Sequence, residues 1–155
     1  MGYQQQKGYP EKIEKILRAL KEYISASGDI DFVLHGGDMV DSTTDENILE
    51  AAETFELPIP VYLCLGNHDL TTPNAVDRWL SSAPDFFVGN SPEFTIPTSD
   101  CMLHVVPNHW GDVPFYWEDS QRAYFSKEQG RWLSRELNGA RQLPQLLLTH
   151  SPVYG

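Results

Sequence analysis

A chain of 155 residues, 41% of them hydrophobic, is long enough for one domain with a sizeable core, and that fraction excludes a disordered chain. Eleven basic residues against 22 acidic ones leave a formal charge of −11, which argues against nonspecific binding to nucleic acid or anionic membranes. No apolar segment is long enough to span a bilayer and no secretory signal follows Met1, while the two cysteines, Cys64 and Cys101, give no disulfide framework and point to a reduced, cytoplasmic setting.

The first element in chain order is a helix over residues 10–27. Ile13, Ile16, Leu17, Leu20 and Ile24 recur at helical spacing, with Glu14, Lys15, Arg18 and Lys21 on the wet face, so it is expected to pack over a sheet. A short apolar run at 31–34 reads as a strand and ends in Gly36-Gly37-Asp38. Ser42-Thr43-Thr44-Asp45 supplies caps for a second helix over 45–55, which returns the chain to a strand at 59–64 ending in Leu65-Gly66-Asn67-His68-Asp69. A third helix over 74–81 follows Pro73. The pattern then changes to short β-type runs at 85–88, 93–96 and 101–106, broken by Gly-Asn-Ser-Pro and Pro-Thr-Ser-Asp turns, as expected for adjacent antiparallel strands.

Residues 108–124 form a long loop rich in Trp110, Phe115, Tyr116 and Trp117; packing onto the domain explains these aromatics, and bordering a substrate cleft is the sharper alternative. Ser126 caps a fourth helix with Gln129, Trp132, Leu133 and Leu137 facing inward and Gly139 near its end, and the Leu-rich run 145–148 then leads into Thr149-His150-Ser151-Pro152. Strand-type runs at 31–34, 59–64 and 145–148, separated by helical patterns, imply an α/β fold with parallel strands buried on both faces.

In such a sheet, loops leaving the carboxyl ends of the strands form the ligand crevice, so Asp38, Asn67 and His150 can converge from distant parts of the chain. A carboxylate, an amide oxygen and an imidazole make a mixed ligand set suited to Mn, Fe or Zn rather than to Mg or Ca. Gly36, Gly37 and Gly66 allow the tight turn and close backbone approach such a site needs. His68, one position after Asn67, is placed to hand a proton to a leaving group, with Asp69 able to accept a hydrogen bond from its other ring nitrogen. Asp41 is expected to support the Asp38 loop. His35 and His104 read as structural, and His109, beside Trp110-Gly111-Asp112, as a loop residue near the substrate.

These three motifs, in this order and each after a strand, resemble the calcineurin-like metallophosphoesterase superfamily, and the order of helix, Leu-rich strand and His-Ser-Pro resembles its cyclic-nucleotide phosphodiesterase and purple acid phosphatase branches. The resemblance implies part of a β-sandwich flanked by helices. It also implies a hydrolase of phosphomonoesters or phosphodiesters that uses two divalent metal ions and a metal-activated water on a small-molecule phosphate ester. By the same resemblance Asp38 is the bridging ligand, Asn67 a ligand of one metal, His150 a further ligand on the same side, and His68 the catalytic histidine.

The superfamily's opening Asp-x-His and closing Gly-His-x-His motifs occur nowhere in residues 1–155. The expectation is therefore an incomplete domain, an internal piece of a longer product, with fewer or weaker metal sites and impaired turnover in isolation. The alternative is a noncatalytic member that uses the scaffold for protein binding. Loss of ligands at both ends favours that alternative, and retention of His68 opposes it.

Overall fold

The computed structural model describes residues 9–119, 121–139 and 142–152. It is a mixed α/β fold with four helices and two small sheets. Helix α1 (Tyr9–Ser27) leads into strand β1 (Val33–His35), helix α2 (Asp45–Thr54) and strand β2 (Val61–Leu63). Helix α3 (Ala75–Ser82), strands β3 (Phe94–Pro97) and β4 (Met102–Val105), helix α4 (Lys127–Gly139) and strand β5 (Gln145–Leu148) follow.

Strands β1 and β2 pair in parallel, with His35 opposite Leu63, joined by a crossover that includes helix α2. The second sheet has the order β3-β4-β5, antiparallel across β3 and β4 and parallel across β4 and β5. The sheets meet where Tyr62 of β2 lies 6.0 Å from the ring of Phe94 of β3, and where the Cys64 thiol faces the Leu148 carbonyl at 3.9 Å. Ile48, Leu63, Leu65, Leu70, Trp79 and Val105 form the dry centre, all fully buried.

The helix starts follow their local chemistry. Thr44 accepts the Asn47 amide at the start of α2. At α4, Ser126 Oγ accepts the Gln129 amide while Gln129 Oε1 accepts the Ser126 amide, a reciprocal capping box.

Several sequence expectations need correction. Residues 85–88 are not a strand: Pro84 opens a single helical turn, Pro84–Phe86, and Gly89 at φ 66° closes a second, Val88–Asn90. Phe86 and Phe87 are buried against Trp79, so their burial comes from edge-on ring packing rather than from a sheet. Strand β5 is not buried on both faces: among the described residues it pairs with β4 alone, and Leu146 and Leu147 are 52% and 47% exposed. In α1 only Leu17 and Ile24 of the apolar stripe are buried, outside the main core, and Ile16 is 61% exposed. Leu137 of α4 faces outward. Among the described residues no helix is long and apolar enough to cross a membrane.

Candidate active site

Three loops leave the carboxyl ends of β1, β2 and β5 and bring Asp38, Asn67 and His150 together. Nε2 of His150 lies 3.2 Å from Oδ1 of Asn67 and 3.5 Å from Oδ2 of Asp38. On the other side of the ring, Nδ1 lies 2.8 Å from the Gly36 carbonyl oxygen. A carbonyl can only accept, so Nδ1 donates to Gly36, and once Nε2 gives up its proton the same ring presents a lone pair to a cation shared with the two oxygens. Three electron-rich atoms therefore point at one small volume, where a cation satisfies all of them.

Close backbone approach makes this possible. Gly37 sits at φ 104°, and a side chain there would strike Nδ1 of His150 and lie 2.8 Å from the Cys64 carbonyl oxygen. At Gly66 a methyl group would strike Oδ1 of Asp38 and lie 2.8 Å from Cε1 of His150. Gly36 has open space around it, so the expected need for glycine holds at two of the three positions. Asp38 itself is in the left-handed region, at φ 56°, a conformation that a short polar side chain tolerates and that recurs at functional sites.

What holds Asp38 in that conformation is Asp69. Its Oδ2 accepts the amides of Asp38 at 2.7 Å and Gly66 at 2.8 Å, and its Oδ1 accepts the Val40 amide at 3.0 Å. Burial raises the Asp69 carboxyl to about 7, against the pull of these three donors. Both Asp69 oxygens are thus engaged by backbone amides. The ring of His68 sets Nδ1 3.2 Å from the Asp41 carbonyl oxygen, and the His68 amide donates to Oδ1 of Asp38 at 3.0 Å. Asp41 thus meets the site through its backbone.

A second tie joins the same two loops. The Thr43 amide donates to Oγ1 of Thr71 at 2.8 Å and the Thr71 amide to Oγ1 of Thr43 at 3.0 Å. Trp79 anchors the base by donating Nε1 to the Asp69 carbonyl at 2.9 Å.

The 108–124 loop packs and borders the site at once. Trp117 stacks beside His68 with ring centres 5.2 Å apart, and buried Trp110 lies edge-on to His150 at 6.4 Å. His109, in that loop, is buried against Phe115 at 4.2 Å and paired through its backbone to Tyr124. His35 is a half-buried rim residue whose Nδ1 accepts the Gly37 amide at 3.3 Å, and burial lowers its pKa. His104 is buried between Thr95 and Gln145, a structural role as its sequence context implies.

The chain from residue 6 to residue 155 matches the family model described as calcineurin-like phosphoesterase. The chain belongs to the calcineurin-like phosphoesterase family. No curated protein matches it. Membership makes the chain a relative of phosphoester hydrolases that generally use divalent metals. Among the described residues no three His, Cys, Asp or Glu side chains group closely enough to hold a metal. The third donor beside Asp38 and His150 is an amide, Asn67, which suits a hard or borderline cation through its oxygen. The donor set therefore fits one ion.

The roles of Asp69 as a backbone acceptor and of Thr43 with Thr71 as a clasp have no sequence signature, because each depends on loops 28 to 31 residues apart meeting in space. Asn108 stands out in the sequence only as a polar residue directly after the apolar run Val105-Val106-Pro107, which does not name its partners.

Proposed function

We propose that the chain is a metal-dependent hydrolase of phosphate mono- or diesters, with Asp38, Asn67 and His150 holding a divalent transition-metal ion and His68 passing a proton to the leaving group. The observation behind this reading is the convergence of Nε2 of His150 with Oδ1 of Asn67 and Oδ2 of Asp38. When bound, such an ion supplies charge neutralisation at a phosphoryl oxygen and acidifies water.

The chain's own groups supply the rest. Asp38 and His150 bind through charge and lone pair, and Asn67 adds a neutral oxygen that fixes orientation. His68 donates Nδ1–H to the Asp41 carbonyl, which stabilises the imidazolium and assigns proton transfer to Nε2. The His68 amide holds Oδ1 of Asp38, so proton donor and ligand keep a fixed spacing. Trp117 covers one side of the His68 ring, which excludes water there and offers a flat surface to an aryl or nucleobase leaving group. The full complement of two ions expected for the family needs donors beyond these three.

The test is calorimetric titration of the 155-residue chain with Mn²⁺ or Zn²⁺, alongside hydrolysis of p-nitrophenyl phosphate and bis-p-nitrophenyl phosphate. One weak site, lost in His150→Ala, is expected; no uptake by the wild-type chain overturns the metal reading, and two tight sites overturn the three-donor description. His68→Ala is expected to lower kcat by roughly 10²–10⁴-fold. A folded chain that binds metal yet hydrolyses neither ester favours the scaffold reading.

A further inference from the structure

We propose that Asn108 is a positioning residue for His150, holding the residues on both sides of that ligand, Thr149 by its hydroxyl and Ser151 by its backbone, so that its ring stands in the orientation the site requires. This rests on the reading of His150 as a metal ligand.

Asn108 is fully buried in the run that leaves β4, and its carboxamide is aimed at the loop that leaves β5. Oδ1 accepts the Thr149 hydroxyl at 3.1 Å and the Ser151 amide at 2.8 Å, while Nδ2 donates to the Ser151 carbonyl at 3.2 Å. The residue before His150 and the residue after it are thus both bound to one buried side chain. The Ser151 N–H can meet only an acceptor, which fixes which end of the amide is oxygen. The amide supplies an acceptor for two donors on one atom and a donor on another, spaced to reach both Thr149 and Ser151. Aspartate lacks the donor, and leucine lacks both.

The clamp complements the contact at the ring. Gly36 fixes rotation of the imidazole through Nδ1, but it can do so only if the Cα of His150 is already in place. With Asn108 removed, Ser151 keeps a buried amide in search of a partner, and the loop relaxes toward whatever supplies one. Ligands held this way lose roughly 10–100-fold in metal affinity when the supporting group is mutated.

The experiment uses the 155-residue chain with three substitutions, Asn108→Ala, Thr149→Val and, as a core control away from the site, Ile96→Ala. Two readouts are taken: Zn²⁺ affinity, and the ¹⁵N spectrum of the His150 imidazole in metal-free protein. The wild-type spectrum should show one fixed pattern of ring hydrogen bonding, with Nδ1 donating to Gly36. Asn108→Ala should average that pattern and weaken Zn²⁺ binding by roughly 10–100-fold. Thr149→Val, which removes one of the two donors to Oδ1 with little change of shape, should shift the spectrum in the same direction to a smaller extent, and it decides the matter if Asn108→Ala does not fold. Ile96→Ala should lower stability and leave both readouts unchanged. An unchanged His150 spectrum in the folded variants overturns the proposal. Failure of the wild-type chain to take up Zn²⁺ overturns only the metal reading, because the imidazole spectrum still reports whether Asn108 orients the ring.

Discussion

The carboxylate of Asp69 accepts the backbone amide of Asp38 at 2.7 Å, so one buried acid holds the strained residue of the neighbouring loop in its left-handed conformation. The same carboxylate takes the amides of Val40 and Gly66, which makes it the joint between the loops leaving β1 and β2. Asp69→Asn replaces one acceptor oxygen with an NH₂ that confronts backbone donors. A loss of roughly 2–3 kcal/mol is expected, because hydrogen bonds to a charged acceptor are lost and buried N–H groups are left unpaired. Urea denaturation of the metal-free chain checks it, and a change below about 0.5 kcal/mol, the size of an ordinary surface substitution, contradicts it.

Gly66 has a different importance: its missing side chain is the space into which Asp38 and His150 fit. Gly66→Ala forces a methyl group onto Oδ1 of Asp38 and to within 2.8 Å of Cε1 of His150. The cost is expected to be roughly 1–3 kcal/mol of overpacking. Divalent-metal affinity should fall by at least about 10-fold as the two donors move apart. Gly36→Ala meets nothing within 4 Å and has no positive φ, so it should change stability little. Thermal unfolding and metal titration of the pair test the contrast, and equal effects of the two substitutions contradict it.

The reciprocal bonds between Thr43 and Thr71 predict that this clasp contributes to stability as well as to the site. Thr43 is only 2% exposed, so Thr71→Val leaves the Thr43 amide buried without its acceptor. A loss of roughly 1–3 kcal/mol is expected by denaturant unfolding. Thr98→Val offers a comparison, since the turn between β3 and β4 that Thr98 supports through Cys101 stands apart from the site. Both variants should be destabilised, and only Thr71→Val should also weaken metal binding.

The meeting of Asp38 and Asn67 was legible because β1 and β2 pair in parallel, which forces their loops to one end, while His150 joins them from β5 of the other sheet where the two sheets abut. The capping residues Thr44 and Ser126 were legible because capping is a local matter, decided within three residues. Residues 85–88 misled because an apolar run with buried phenylalanines has no period that separates a strand from two helical turns, and the decision fell to Pro84 and Gly89. Asp69 and Asn108 were not legible in their actual roles. A carboxylate beside His68 has an obvious local use, and only the folded chain shows its oxygens binding amides of Asp38 and Val40 in the neighbouring loop as well as that of Gly66. Asn108 meets partners 41 and 43 residues away, which no pattern in its own neighbourhood encodes.

His109 gives a pH dependence that can be measured without metal. Its ring is buried against Phe115, Nε2 has no hydrogen-bond partner among the described residues, and burial lowers its pKa below the ordinary 6.5, with Glu128 pulling weakly the other way. The sign follows from which state takes up the proton first. Below the ordinary value the unfolded chain binds a proton that the folded chain resists, so this contribution to stability is present above 6.5 and is lost as pH falls toward the folded pKa. His109→Phe keeps an aromatic ring against Phe115 and removes the titration. Unfolding temperatures of wild type and variant at about pH 7.5 and about pH 5.5 should show the larger fall in the wild type. His35, also lowered by burial, is present in both proteins and cancels in the comparison. Equal falls in the two proteins would mean that His109 takes up its proton in the folded state as readily as in the unfolded one, and that its packing against Phe115 opens to solvent before the domain melts.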